Sequence, residues 1–280
     1  MTVKHAYLIL AHNQFELLKM LLSALDDPRN DIFIHFDKKV RNVPRLTTSS
    51  SRLVVLDDRV NVLWGDVSQI KAEYALYKRA CKEGPYAYYH LISGTHFPLM
   101  SQDDIHSFFA SLAGTCVMRF EPLSEDEVRM RFGLRHFFLR HLVDRRKAVN
   151  RLYHFGWRAM LAIQKKLGIG RDTSFIKGKA SQWCSLTQQA VDLIVDEEKA
   201  ALKRFRRSFC CDEFFVRSVI DGKVDVVDDS RICYVKFEHT TPRIFTLKDY
   251  DELKSSGAFF ARKMGDCSLE LCRRIMEENS

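Results

Sequence analysis

At 280 residues the chain is long for one domain but fits a single α/β enzyme domain. Hydrophobic residues make up 46% and charged residues 29%, enough for a large core under a polar surface, and no run approaches the roughly 18–20 apolar residues of a bilayer-spanning helix. The formal net charge of +8 suits an anionic partner, whether nucleic acid, phospholipid or a phosphorylated small molecule, and is equally met by a solvated basic surface.

The opening MTVKHAYLILAHNQFELL is too brief and too polar for a secretory signal, which predicts a cytoplasmic protein. Within it HAYLILAH reads as a buried parallel strand, and residues 14–25 carry Phe15, Leu18, Leu22 and Leu25 at helical spacing. DDPRN ends that helix, DIFIHFD is a second strand and RLVVLDD a third. A helix over 68–81 follows, with Ile70, Tyr74, Tyr77 and Ala80 as its stripe. YAYYHLIS is a fourth strand closed by the loop GTHFPL, and residues 103–112 make another helix. This alternation predicts an α/β fold with a largely parallel sheet, whose ligands bind beyond the carboxyl ends of the strands. His12-Asn13, Asp37-Lys38-Lys39 and Ser93-Gly94 would then share one rim.

From 128 to 171 the composition turns basic and aromatic. Val149, Leu152, Tyr153, Met160, Ile163 and Leu167 trace a helical stripe, with Arg145, Arg146, Lys147, Arg151, Arg158, Lys165 and Lys166 crowded around it. The plainer reading is an amphipathic helix packed on the core. The other is contact with an anionic membrane surface or a lipid-diphosphate-linked acceptor. Beyond it come the strand-like SQWCSLT, a helix over 188–205, FCCDEFFVRSVI, the strand ICYVKF, TPRIFTLKDYDEL, GAFFARKM and a last helix. No repeat or low-complexity linker divides the chain, so one domain is expected over 1–280. Its nucleotide-binding half would be 1–115 and its acceptor and catalytic half 116–280, with a helical insertion near 128–171.

Three residues stand out chemically. Glu213, in FCCDEFF, is a carboxylate among aromatics; desolvation there would strengthen it as a base. The same Asp212-Glu213 pair also suits the positive end of a helix. Arg243 in TPRIFT and Lys263 in FFARKM lie in apolar settings near turns. Together they could neutralise a diphosphate; singly they are surface charges with buried stems. The histidines lack metal-ligand spacing, none of the eight cysteines forms a C-x-x-C pair, and Lys38 stands where a D-x-D motif would need a carboxylate. Phosphate-loop and dinucleotide glycine motifs are missing too.

LILAHNQFELL, IFIHFDKK, VLWGDVSQIKA, YYHLISGTHFPL, FCCDEFF and FFARKM, in this order and spacing, resemble the core-2/I-branching N-acetylglucosaminyltransferases and the related peptide O-xylosyltransferases, family 14 of the glycosyltransferases. The resemblance implies a GT-A type fold that inverts the sugar's anomeric configuration from a UDP-sugar, with no metal or other cofactor. It implies Glu213 as catalytic base and Arg243 and Lys263 at the diphosphate. His12, Asp37, Trp64 and Gly65 would line the nucleotide pocket, and Phe237 would lie near the sugar. Two places depart from the family pattern: His96 replaces an Asp, and KASQWC at 179–184 replaces a G-S-x-W/Y-F segment. His96 and Trp183 thereby become candidates on the sugar and acceptor side.

The expected partners are a nucleotide-sugar donor and a glycan or lipid-linked glycan acceptor in surface polysaccharide synthesis. The chain resembles the short bacterial members, placed in the cytoplasm or peripherally at the cytoplasmic face of the inner membrane. Two rival readings are a catalytically inactive sugar-nucleotide-binding member and a basic nucleic-acid-binding protein, the latter without any recognisable nucleic-acid motif.

Overall fold

The structure is a computed structural model that describes residues 4–139, 142 and 147–279. Its centre is a seven-stranded, mostly parallel sheet with helices on both faces, in the order β3-β2-β1-β4-β7-β6-β8. β1 (His5–Ala11), β2 (Asn30–Phe36), β3 (Arg52–Val55) and β4 (Tyr88–Ser93) run parallel. Burial on both faces explains the nearly continuous apolar runs of β1, β2 and β4, while β3 is a more exposed edge strand. The two-residue side-chain period divides β1 between two cores. Tyr7, Ile9 and Ala11 join Leu18, Leu22 and Leu25 of α1 (Phe15–Leu25) on one face. Ala6 and Leu8 join Ile70, Tyr74 and Tyr77 of α2 (Ser68–Cys81) on the other.

The second half completes the sheet. β6 (Cys116–Glu121) and β7 (Lys179–Thr187) pair antiparallel, β7 also runs antiparallel to β4, and β8 (Val226–Asp228) adds parallel to β6. A small sheet lies beside it, with β12 (Phe260–Arg262) between β5 (Phe97–Pro98) and β9 (Tyr234–Val235). β10 (Phe237–Glu238) and β11 (Thr241–Pro242) form a short hairpin.

The helix expected over 188–205 is two helices, α6 (Gln188–Asp196) and α7 (Glu198–Phe205), separated at Glu197. The break lets Ala201 and Phe205 enter the same core as Val191 and Ile194. α3 (Gln102–Ser111) starts where Ser101 accepts a hydrogen bond from the Asp104 amide, an N-cap that satisfies one otherwise free donor.

The basic segment contains α4 (Glu125–Arg131) and α5 (Lys147–Lys166); Arg145 and Arg146 lie outside the described residues. The expectation that the stripe of α5 packs on the core is overturned at Leu152, Ile163 and Leu167, all exposed. The helix docks instead by the side that carries Asn150, Trp157 and Gln164, with Trp157 against Phe209. Gln164 accepts from the Arg135 amide and donates to its carbonyl, while Asn150 donates to Leu142 O. These bonds satisfy loop backbone that would otherwise be left without partners, and so turn the aliphatic stripe outward. Among the described residues, no helix is long and apolar enough to cross a membrane.

Candidate active site

The strand order reverses at β1: β2 pairs on one side and β4 on the other. At such a switch point the connections diverge and leave a crevice above the carboxyl ends. A cavity of ≈ 230 Å³ occupies that crevice. His12 and Asn13 after β1, Asp37 after β2 and Ser93-Gly94 at the end of β4 line it, as do Trp64, Gln69, Gln182, Trp183, Arg262 and Lys263. A second cavity of ≈ 280 Å³ lies by α1 and α3, but there Arg29 is already held by Asp27 and Asp103.

Two adjacent cations enter the first cavity from the end of β12. The Arg262 guanidinium carbon lies 5.2 Å from the centre of the Trp183 ring, and its Nε is buried without a hydrogen-bond partner. Burial lowers the pKa of Arg262; burial and then Arg262 lower that of Lys263. An orphaned cationic donor beside a second cation costs stability unless an anion meets it. Arg243 is close in backbone terms, since the Lys263 amide donates to its carbonyl at 3.3 Å. Its side chain turns away: Nη2 donates to Asp249 Oδ1 at 2.5 Å and Nε lies 3.5 Å from Glu238. It does not line the cavity.

On the opposite wall, exposed Trp64 packs edge-on against Phe209. Gly65 follows at φ +74°, where a Cβ would come within 2.7 Å of Phe209. Only glycine fits this turn without strain. The Gly65 amide donates to Gln69 Oε1 at 2.6 Å, and Gln69 Nε2 donates to Asp212 Oδ2 at 2.8 Å. Burial first, then the neighbouring Glu213, pushes Asp212 up to about 6.

Glu213 itself lies on the first turn of α8 (Asp212–Ile220). Its Oε2 accepts from Arg131 at 3.0 Å and lies 3.8 Å from Lys179 Nζ, and its side chain is 40% exposed. The expectation of desolvation among aromatics is corrected here. Phe214 and Phe215 point inward and take up the burial, while the helical rotation turns Glu213 toward two cations. β7 links it to the cavity: from Lys179 beside Glu213 to Gln182 on the wall is roughly 10 Å of strand.

Of the other sequence candidates, His12 and Asp37 line the cavity. Burial, more than Lys263 and against the pull of Asp37, lowers the pKa of His12. Trp183 lines the cavity as well; His96 is fully buried behind it, with ring centres 4.6 Å apart. Its Nδ1 faces the Ser93 amide at 3.0 Å, so the imidazole braces the β4 loop. Phe237 is exposed on the β10–β11 hairpin and does not reach the cavity. Sequence reasoning missed Arg262, Gln69, Gln182 and Arg131. Arg262 was signalled by adjacency to Lys263. The others meet partners 82 to 143 positions away, which no local pattern reveals. Beneath the cavity, fully buried Glu73 accepts from Gln182 at 2.8 Å, and burial raises its pKa well above the usual carboxylate value.

Among the described residues, no three His, Cys, Asp or Glu side chains group as a metal site. Comparison with curated proteins finds no match. The family model of the Core-2/I-branching enzyme matches residues 5–252, spanning every strand of the central sheet. The chain therefore belongs to the Core-2/I-branching enzyme family, a family of glycosyltransferases.

Proposed function

We propose that this protein is an inverting glycosyltransferase of GT-A-like fold, acting without a metal on a UDP-sugar and a glycan hydroxyl, with the basic segment as an insertion in one catalytic domain. The observation that carries this reading is the crevice at the β1/β4 switch point, with Arg262 and Lys263 turned into it and Arg262 Nε lacking a partner. A diphosphate supplies what that donor lacks. Trp64 and His12 offer flat surfaces for a base and ribose, and Asp37 offers an acceptor for their polar edges.

The chemistry follows in one displacement. The acceptor hydroxyl gives its proton to Glu213 as its oxygen bonds to the anomeric carbon; the bond to the diphosphate breaks on the opposite face, and configuration inverts. Arg131, bonded to Glu213, fixes the carboxylate's direction. Negative charge growing on the leaving diphosphate is met by Lys263 and Arg262, where a partly dry site makes each contact stronger than in water. Arg243 joins them if it exchanges Asp249 for phosphate oxygen. The family match ends at 252, so the roles of Arg262 and Lys263 rest on the cavity and on the FFARKM resemblance.

The test is a thermal-shift and turnover screen across UDP, GDP, CDP and dTDP sugars, with and without EDTA. UDP-sugars should stabilise the protein and turn over in chelator. Stabilisation by no nucleotide, or activity abolished by EDTA, would overturn the reading.

A further inference from the structure

We propose that α5 docks the protein on the surface of an anionic lipid bilayer. The helix and the turn that ends it present several large apolar residues to water. Leu152 and Phe155 are 69% and 73% exposed, and Ile163 and Leu167 are exposed too. At helical spacing these residues share one broad face about 25 Å long. The exposed cations Arg151, Arg158 and Lys165 recur every seven residues along one flank of that face, and Lys166 stands within it. None of the four makes an ion pair among the described residues, and α5 contains no acidic residue. Between 128 and 171 the sequence holds twelve Lys or Arg against one Asp.

The fold enforces this orientation. Gln164, buried, and Asn150 hold α5 by its inner side, and Trp157 donates to His136 Nδ1 at 3.0 Å. Phe138, exposed and packed against Tyr153, extends the apolar surface into the preceding loop.

Charge selects the occupant. A second copy of the chain would bring one basic flank against another. Nucleic acid would use the cations but leave Leu152, Ile163 and Leu167 in water. A bilayer with anionic headgroups satisfies both halves: apolar side chains enter the headgroup boundary, and the cations remain at the phosphate level.

The experiment is flotation of the full chain with vesicles of phosphatidylcholine alone or mixed with phosphatidylglycerol. Binding should need the anionic lipid and fall as salt rises from about 0.1 M to about 0.5 M, where screening shortens the reach of surface charge. The double variant Leu152→Ser/Phe155→Ser and the charge reversal Arg151→Glu/Arg158→Glu should each lose at least about tenfold in vesicle affinity. Because all four side chains are exposed, both variants should keep the parent melting temperature. Indifference to anionic lipid, or undiminished binding by both variants, would overturn the proposal. So would a dimer in light scattering that Leu152→Ser/Phe155→Ser converts to monomer, since another copy would then cover the face. No outcome requires donor turnover, so the result stands apart from the catalytic reading.

Discussion

Gln69 donates to Asp212 across 2.8 Å, joining the wall of the crevice to the turn that presents Glu213. The same side chain accepts from the Gly65 amide, so one residue sets both the Trp64-Gly65 turn and the start of α8. Gln69→Ala should leave a half-buried carboxyl and a backbone amide short of partners. The expected loss is about 1–3 kcal/mol of stability for each group left unsatisfied. UDP affinity should weaken with it. Chemical denaturation and a nucleotide titration on the same variant check both. Gly65→Ala should behave similarly, because its Cβ would collide with Phe209.

Glu213→Gln keeps shape and removes the basic lone pair. Turnover should fall by about 10²–10⁴-fold, the range for a lost general base, with UDP affinity nearly unchanged. Parent turnover in this variant would remove Glu213 from the proton-accepting role.

The three cations should separate in a binding assay. Arg262→Ala and Lys263→Ala should each weaken UDP binding by about 1.5–3 kcal/mol, roughly 10- to 150-fold, as expected for hydrogen bonds to charged groups. Arg243→Ala should weaken turnover more than ground-state binding, since its guanidinium is engaged with Asp249 in the unliganded fold. Isothermal titration with UDP, set beside kcat for the three variants, tests the ordering.

Buried histidines give the protein an acid limit. His90 faces Ser185 Oγ at 2.7 Å and His5 Nδ1 at 3.0 Å, inside the sheet. Burial pushes His5 down to about 3 and holds His90 well below its ordinary value. The unfolded chain takes up these protons near pH 6.5, the folded chain only far lower, so the folded state binds fewer protons across that window. Their contribution to stability is intact above about pH 6.5 and declines as pH falls toward 3, by up to about 1.4 kcal/mol per pH unit for each site. Melting temperature should therefore drop between pH 7 and pH 5. His5→Gln/His90→Gln should flatten the drop; an equally steep fall in that variant would assign it to other groups.

The central strands were legible because they are buried on both faces and read as unbroken apolar runs, as in HAYLILAH and DIFIHFD. The rim formed by His12, Asp37 and Ser93-Gly94 followed from the parallel order alone. Less accessible was anything decided by which side of a helix meets the core. Periodicity finds the stripe of α5 and the acidic pair of α8, but rotation about the helix axis is set by distant partners. Gln164 turns one stripe outward by bonding Arg135, and the inward Phe214 and Phe215 leave Glu213 facing Arg131. Arg243 was expected beside Lys263 at a diphosphate; the two meet only through the backbone, because the Arg243 guanidinium pairs with Asp249 at a turn that spacing does not specify.

The crevice takes its walls from regions near residues 12, 64, 94, 183 and 262. As the chain emerges from a ribosome, the early parallel strands can associate while Arg262 of β12 and Lys263 after it are still unmade. Arg262 and Lys263 reach the crevice only with β12, which sits between β5 and β9. If these cations hold the donor diphosphate as proposed, a chain cut before Phe260 should keep most of its sheet and lose its response to nucleotide. On that reading, stabilisation by nucleotide would mark chains whose last strand is in place.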